Sequence, residues 1–236
     1  MLILALDSSA LVASVALCRD EKVLASFTLN NGNTHSETLL PMIESMLRCT
    51  GTTAGEIDLF ACSTGPGSFT GVRIGAATVK GLAFGGTACC LGVSTLEALA
   101  MNAVPHDALI CPVMNARRGQ LYNALFRYEN GALVRLVADR AISARELGEE
   151  LSSRGVPFVL CGDGIAEFER LAGITPPCTL SPLLTDQNAV SVARVAYRRY
   201  LAGERGTDAA LCPVYLRLPQ AERERLEKLQ AKESAQ

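Results

Sequence analysis

Few side chains in this sequence stand where they could do chemistry, and most of them fall in two short stretches. One is Asp7-Ser8-Ser9, directly after the apolar run Leu2 to Leu6. A carboxylate at the tip of a buried strand can hold a hydrated magnesium ion, or it can simply close a turn. The other is Ser63 to Gly75, reading Ser-Thr-Gly-Pro-Gly-Ser-Phe-Thr-Gly-Val-Arg-Ile-Gly. The apolar run Ile57 to Cys62 before it suits a buried strand, and Thr70 to Phe84 after it has helical spacing. A glycine-rich turn between a strand and a helix aims free backbone N–H groups at an anion. Gly65 and Gly67 can take positive φ there, and Pro66 stiffens the corner between them. The same residues also make a tight strand-to-helix connection. No Lys-Ser/Thr pair follows at the spacing of a nucleotide-binding P-loop.

Other chemistries are excluded by what is missing. The chain has two histidines, His35 and His106, and no H-E-x-x-H or other pair on one helical face that could hold zinc. A serine triad needs a histidine set against a buried acid, and no such pairing is visible. The nine cysteines occur singly apart from Cys89-Cys90, with no C-x-x-C, so they read as small core residues of a reducing compartment. No catalytic or metal-ligating residue is expected. A formal net charge of -2 speaks against a broadly basic nucleic-acid surface, although a local basic patch stays open. No apolar run reaches the roughly 18 residues of a membrane span. Met1 leads straight into Leu-Ile-Leu-Ala-Leu-Asp without a basic leader, so a cytoplasmic location is expected.

The elements that must position these residues can be taken in order. Leu2 to Leu6 is a central strand, and Ala13 to Cys18 and Lys22 to Leu29 follow as antiparallel strands. Three strands before any helix departs from the strict alternation of doubly wound folds. Thr34 and Glu37 form a capping box for a helix that Gly51 stops. Leu39, Leu40, Met42, Ile43, Met46 and Leu47 spread over more than the roughly 100° stripe that one sheet can cover, so this helix is either deeply buried or has a second partner. On the next helix Gly71, Gly75 and Thr78 form a stripe of small residues, with Arg73 and Lys80 on the other side. Ala88 to Val93 is a strand, and Ser94 with Glu97 caps a helix to about Asn102. Past Pro105 and His106 the order repeats. Strands at Leu109 to Met114, Gln120 to Tyr128 and Leu133 to Ala138 are followed by a helix at Ala144 to Arg154 and a strand at Phe158 to Cys161. Gly162-Asp163-Gly164 and a further helix come next. Gln187 to Leu201 is another helix and Pro213 to Arg217 closes the folded part, before a charged tail at 221–236. The expected division is 1–104, 105–220 and the tail.

Two such halves, with an acid ending the first strand, resemble the actin-like ATPase (ribonuclease H-like) superfamily. That likeness implies an α/β fold of two half-domains, each with a mixed sheet flanked by helices. It also implies that Asp7, Ser8, Gly65 and Gly67 would face nucleotide phosphate. A more specific resemblance comes from longer motifs. Leu4-Ala5-Leu6-Asp7-Ser8-Ser9, His35-Ser36-Glu37 with Leu40-Pro41, and Gly65 to Gly75 are similar to the TsaB (YeaZ) family. Asn115-Ala116-Arg117-Arg118-Gly119 with Tyr122, Gly162-Asp163-Gly164 and Pro213 to Arg217 extend the likeness to about Arg217. The family usually carries an acid where Asn115 stands, and commonly another at Gln120, which weakens any metal or cation role for that loop.

The resemblance implies a non-catalytic scaffold in making threonylcarbamoyladenosine on tRNA. Such a chain pairs with the TsaD transferase, helps recruit the TsaE ATPase and self-associates when its partner is missing. It would meet tRNA only through the complex and no membrane at all. No cofactor would be bound tightly by this chain alone, with ATP entering at the level of the complex. The expected partner interface is His35, Leu39, Met42, Ile43 and Met46 on the first helix and Gly71, Arg73, Gly75 and Thr78 on the second. Two such helices from each subunit would meet as a four-helix contact. A stand-alone ATPase or small-molecule kinase of the actin-like type remains a competing reading. A peptidase is a third, against which the missing histidine pair speaks.

Overall fold

The computed structural model describes residues 1–217; the charged tail at 221–236 lies outside the described residues. Five strands build a first sheet: β1 (Leu2–Asp7), β2 (Ala13–Arg19), β3 (Lys22–Leu29), β4 (Leu59–Gly65) and β5 (Cys89–Ser94). Their order is β3-β2-β1-β4-β5, antiparallel from β3 to β1 and parallel from β1 to β5. Strands β1 and β4 are buried at every position because both faces of the sheet are covered. Edge strand β3 alternates between exposed and half-buried, as one wet face requires.

A second sheet repeats the scheme with four strands. They are β6 (Leu109–Asn115), β7 (Gln120–Glu129), β8 (Ala132–Ser143) and β9 (Phe158–Cys161), in the order β8-β7-β6-β9. Again two antiparallel steps lead into a parallel one. This is the actin-like arrangement of two half-domains with mixed sheets flanked by helices. Strand β8 runs five residues beyond the expected Ala138. Asp139 and Arg140 break the apolar pattern there, yet the backbone goes on pairing with β7 as far as Ser143.

Helix α1 (His35–Thr50) begins at the Thr34–Glu37 capping box and ends at Gly51 with φ 63°. Helix α2 (Phe69–Ala83) takes its cap from Ser68, whose hydroxyl accepts from the Gly71 N–H. Together they cover one face of the first sheet, where Leu39, Met42, Ile43, Met46, Ala76 and Val79 join Leu4, Leu6 and Val15. Helices α4 (Ala144–Arg154) and α5 (Ile165–Ala172) cover the second sheet. Helix α3 (Thr95–Met101) packs between the halves.

The last helix, α6 (Ala189–Leu201), returns to the first sheet. Its Ala189, Val192, Ala193 and Ala196 pack on Ile3, Ala5, Leu59 and Val93. A cut at 104/105 therefore separates the two sheets but not the two packing units. Residues 189–201 follow the second half in sequence and join the first half in space. Of the nine cysteines, Cys18, Cys62, Cys90, Cys111 and Cys161 are buried free thiols. Burial pushes Cys18 and Cys90 up to about 11 and Cys111 to about 12, which keeps them protonated and inert.

Candidate functional site

Strand β1 ends at Asp7, and the loop that follows is stitched to the glycine-rich turn. The Ser9 N–H and hydroxyl both donate to Asp7 Oδ1, at 2.9 and 2.6 Å, and the Ser63 hydroxyl donates to Oδ2. Asp7 is buried, with 1% of its surface exposed. Burial pushes its carboxyl above the usual range, against the lowering effect of the Ser63 and Ser9 hydrogen bonds and of His35. The acid thus holds a loop together, and it faces protein on every side. Ser8, also buried, donates its hydroxyl to the Gly71 carbonyl at 2.9 Å. Ser68 N–H donates to the Ser9 carbonyl at 2.7 Å.

These stitches explain the glycines better than an anion cradle does. A Cβ at Gly67 would collide with the Ser9 carbonyl, and one at Gly71 with the Ser8 carbonyl. Of Gly65 and Gly67 only Gly65 uses positive φ, at +125°, and a side chain there would strike the Val214 carbonyl. Close backbone approach, rather than left-handed freedom at both positions, sets the motif.

Opposite the turn lies the loop between β6 and β7. Arg117 and Arg118 both take left-handed backbone, φ 66° and 56°, ahead of Gly119, and Arg117 N–H donates to Asn115 Oδ1 at 2.8 Å. Between the halves is a cleft of about 400 Å³, lined by Ser9, Ser68 and Thr70 on one side and Arg117 and Asp163 on the other. The segment 213–217 straps across it. Val214 N–H donates to the Thr64 carbonyl at 2.8 Å. The Tyr215 ring lies 4.8 Å from that of Phe69, and its hydroxyl accepts from Arg73 Nε at 2.7 Å. The Arg73 guanidinium also sits over the Phe69 ring, 3.8 Å from its centre. Arg217 reaches the Ala116 carbonyl on the far side. Sequence reasoning missed this clamp. The signal was Phe69 and Arg73 at i and i+4 on one helical face, with an aromatic residue waiting in the last motif.

The expected interface residues are divided by the structure. Leu39, Met42, Ile43 and Met46 are buried in the core under α1 and cannot meet a partner. Gly71 and Gly75 face β1: a Cβ at Gly75 would stand 2.7 Å from Ser8 Oγ and 3.0 Å from Leu6. The small stripe is there to bring α2 onto its own sheet. Arg73 is taken by the strap. His35 and Thr78 remain, and both line an open groove of about 570 Å³ between α1 and α2, with Leu40, Ile74, Ala77 and Leu82. Leu40, the residue left over from the wide apolar arc, is 54% exposed. His35 Nε2 donates to the Ala10 carbonyl at 2.7 Å, which ties the groove to the loop after Asp7. Its Nδ1 is buried without a partner among the described residues.

Among the described residues, no three His, Cys, Asp or Glu side chains stand together as a metal site. No helix among them is long and apolar enough to cross a membrane. The family described as "TsaD: tRNA N6-adenosine threonylcarbamoyltransferase" matches residues 22–175. The tRNA threonylcarbamoyladenosine biosynthesis protein TsaB of Bacillus subtilis is 35% identical over 162 residues, 69% of this chain and 71% of that protein. Its namesake in Escherichia coli is 40% identical over 134 residues, 56% of this chain and 58% of that one. A Pseudomonas aeruginosa crystal structure, described as similar to peptidase YeaZ, superposes with a TM-score of 0.81 at 28% identity. It covers 92% of this chain and 99% of that one. With the Bacillus subtilis TsaB 35% identical and covered over 71% of its length, this chain belongs to the TsaB (YeaZ) family.

Proposed function

We propose that the chain is a non-catalytic scaffold subunit in the synthesis of threonylcarbamoyladenosine on tRNA. In this reading it works in the cytoplasm, pairs with a TsaD-type transferase and helps recruit a TsaE-type ATPase. The relatives' names supply the pathway. The observation that carries the scaffold role is the uncovered apolar groove between α1 and α2, with Leu40 standing in it. A groove lined by Leu40, Ile74, Ala77 and Leu82 fits an apolar helix face from a partner. When the transferase is absent, a second copy of this chain takes the same surface.

The carboxylate at the strand tip is engaged by Ser9 and Ser63, so Asp7 is not free to meet a nucleotide on this chain alone. ATP is accordingly used at the level of the complex. The reading is tested by co-purification with the transferase. Leu40→Asp should weaken pairing at least tenfold, on the order of 1.4 kcal/mol or more, while the melting temperature stays within a degree or two. A Leu40→Asp chain that pairs as tightly as wild type would move the dock off this groove. Tight stoichiometric ATP binding to the lone chain in calorimetry would favour the ATPase reading instead.

A further inference from the structure

Several arginines among the described residues are spoken for. Arg127, Arg135, Arg140, Arg154, Arg170 and Arg199 each hold a carboxylate at ion-pair distance. The outer side of α6 is different. Arg194 and Arg198 stand one turn apart on it and make no ion pair among the described residues, with Arg194 exposed and Arg198 half-buried. Arg194 lies close enough to Cys18 to act on its thiol, which places it beside the end of β2. There the turn Arg19-Asp20-Glu21-Lys22 brings two more exposed cations without an ion pair among the described residues, although Arg19 also acts on Asp20 and Glu56.

Two acids share this turn: Glu21 is exposed and acts on Tyr197, and Asp20 is engaged. Asp20 accepts from the Met1 ammonium at 2.8 Å and sits beside the Tyr197 hydroxyl. Glu204 is gripped by Arg199 at 2.6 Å. Tyr197 and Tyr200 interleave with the cations, and the Arg205 guanidinium sits over the Tyr200 ring, 3.7 Å from its centre. The helix dipole accounts for cations in the last turn, which Arg198 and Arg199 supply, but not for Arg194 a turn earlier.

Unpaired arginines interleaved with tyrosines are what a phosphate backbone requires. We infer that the outer face of α6, with Arg194, Arg198, Arg19 and Lys22, contacts the backbone phosphates of RNA. The identity of that RNA as the tRNA being modified rests on the function proposed above. The face lies on the opposite side of the first sheet from the α1–α2 groove, so a partner in the groove leaves it open.

The test compares wild type, Arg194→Ala/Arg198→Ala, and a control, Arg48→Ala/Arg145→Ala, that removes two unpaired arginines elsewhere. Binding of an unmodified tRNA transcript is measured across a salt series, for the isolated chain and for its complex with the transferase, and pairing is measured separately. Loss of two phosphate contacts should make the slope of log K against log salt shallower by about 1.4 to 1.8 units, at roughly 0.7 to 0.9 per contact. Pairing and melting temperature should not change, and the control should keep the wild-type slope. Equal slopes for wild type and the α6 variant in both arms would overturn the inference and leave the scaffold role standing. Wild-type chain that fails to pair would overturn the scaffold role, and the isolated-chain arm would still decide the RNA contact. A variant that keeps its RNA affinity but loses a protein partner would make the face a protein dock, and the inference would be wrong.

Discussion

Asp7 is the residue whose meaning changed most between sequence and structure. A strand-tip carboxylate reads as a ligand, and here it is a buried bracket for Ser9 and Ser63. Its raised proton affinity gives stability a definite pH dependence. Below the ordinary carboxylate range, folded and unfolded chains both carry a protonated Asp7 and no penalty arises. As pH rises past that range the unfolded chain ionises first, so the folded state loses stability until Asp7 itself ionises. Asp7→Asn keeps an acceptor for Ser9 and removes the charge. It should melt higher than wild type at pH 7, with the gap closing as pH falls toward about 4. Denaturant melts over pH 4–8 check this, and a less stable Asn variant at pH 7 would show that the three donors outweigh burial. At Gly75 the neighbouring Ser8 and Leu6 leave no room. Gly75→Arg should therefore cost several kcal/mol and give unfolded protein, as a buried charge in an overpacked site must. Folded Gly75→Arg protein that merely fails to pair would return the stripe to an interface.

At the scale of elements, α1 shows how one helix can carry two instructions. Leu39 and Leu40 are neighbours in sequence, yet one is 1% and the other 54% exposed. Leu39→Asp should unfold the chain, whereas Leu40→Asp should leave it folded and unpaired; circular dichroism melts beside co-purification distinguish the two. The strap over the cleft is held by Arg73 on Tyr215 and Phe69 at an exposed position, where such contacts are worth about 1 kcal/mol. Arg73→Ala should accordingly speed limited proteolysis within residues 203–217 with little change in global melting. Digestion at the wild-type rate would mean that Val214 and Arg217 hold the strap unaided.

For the whole molecule, the return of α6 decides what can fold alone. Ile3, Ala5, Leu59 and Val93 lie beneath it, so a fragment of residues 1–104 would present that apolar face to water. Such a fragment should lack a cooperative melt and bind a hydrophobic dye. A fragment 1–104 with a sharp transition would show that α6 is dispensable to the first half. The same return leaves the α1–α2 face of the first sheet for a partner and puts the unpaired arginines on its other side.

Local chemistry made much of this protein legible in its sequence. Capping residues Thr34 and Ser94 start helices where side-chain oxygens can satisfy free N–H groups, and Gly51 ends one in left-handed backbone. The fully apolar runs became β1 and β4, and the repeat of strand order became two sheets of matching topology. Those features depend on neighbours within a few positions, and a sequence displays them directly. Which side of α2 meets its own sheet, where α6 packs, and that Arg73 closes on Tyr215 depend on groups far apart in the chain, 142 positions for Arg73 and Tyr215 and 175 for Ser14 and Ala189. Periodicity says that a face is apolar or small, but only tertiary packing says against what. For that reason the stripe at Gly71 and Gly75 was open to two readings until the Ser8 backbone was seen to lie against it.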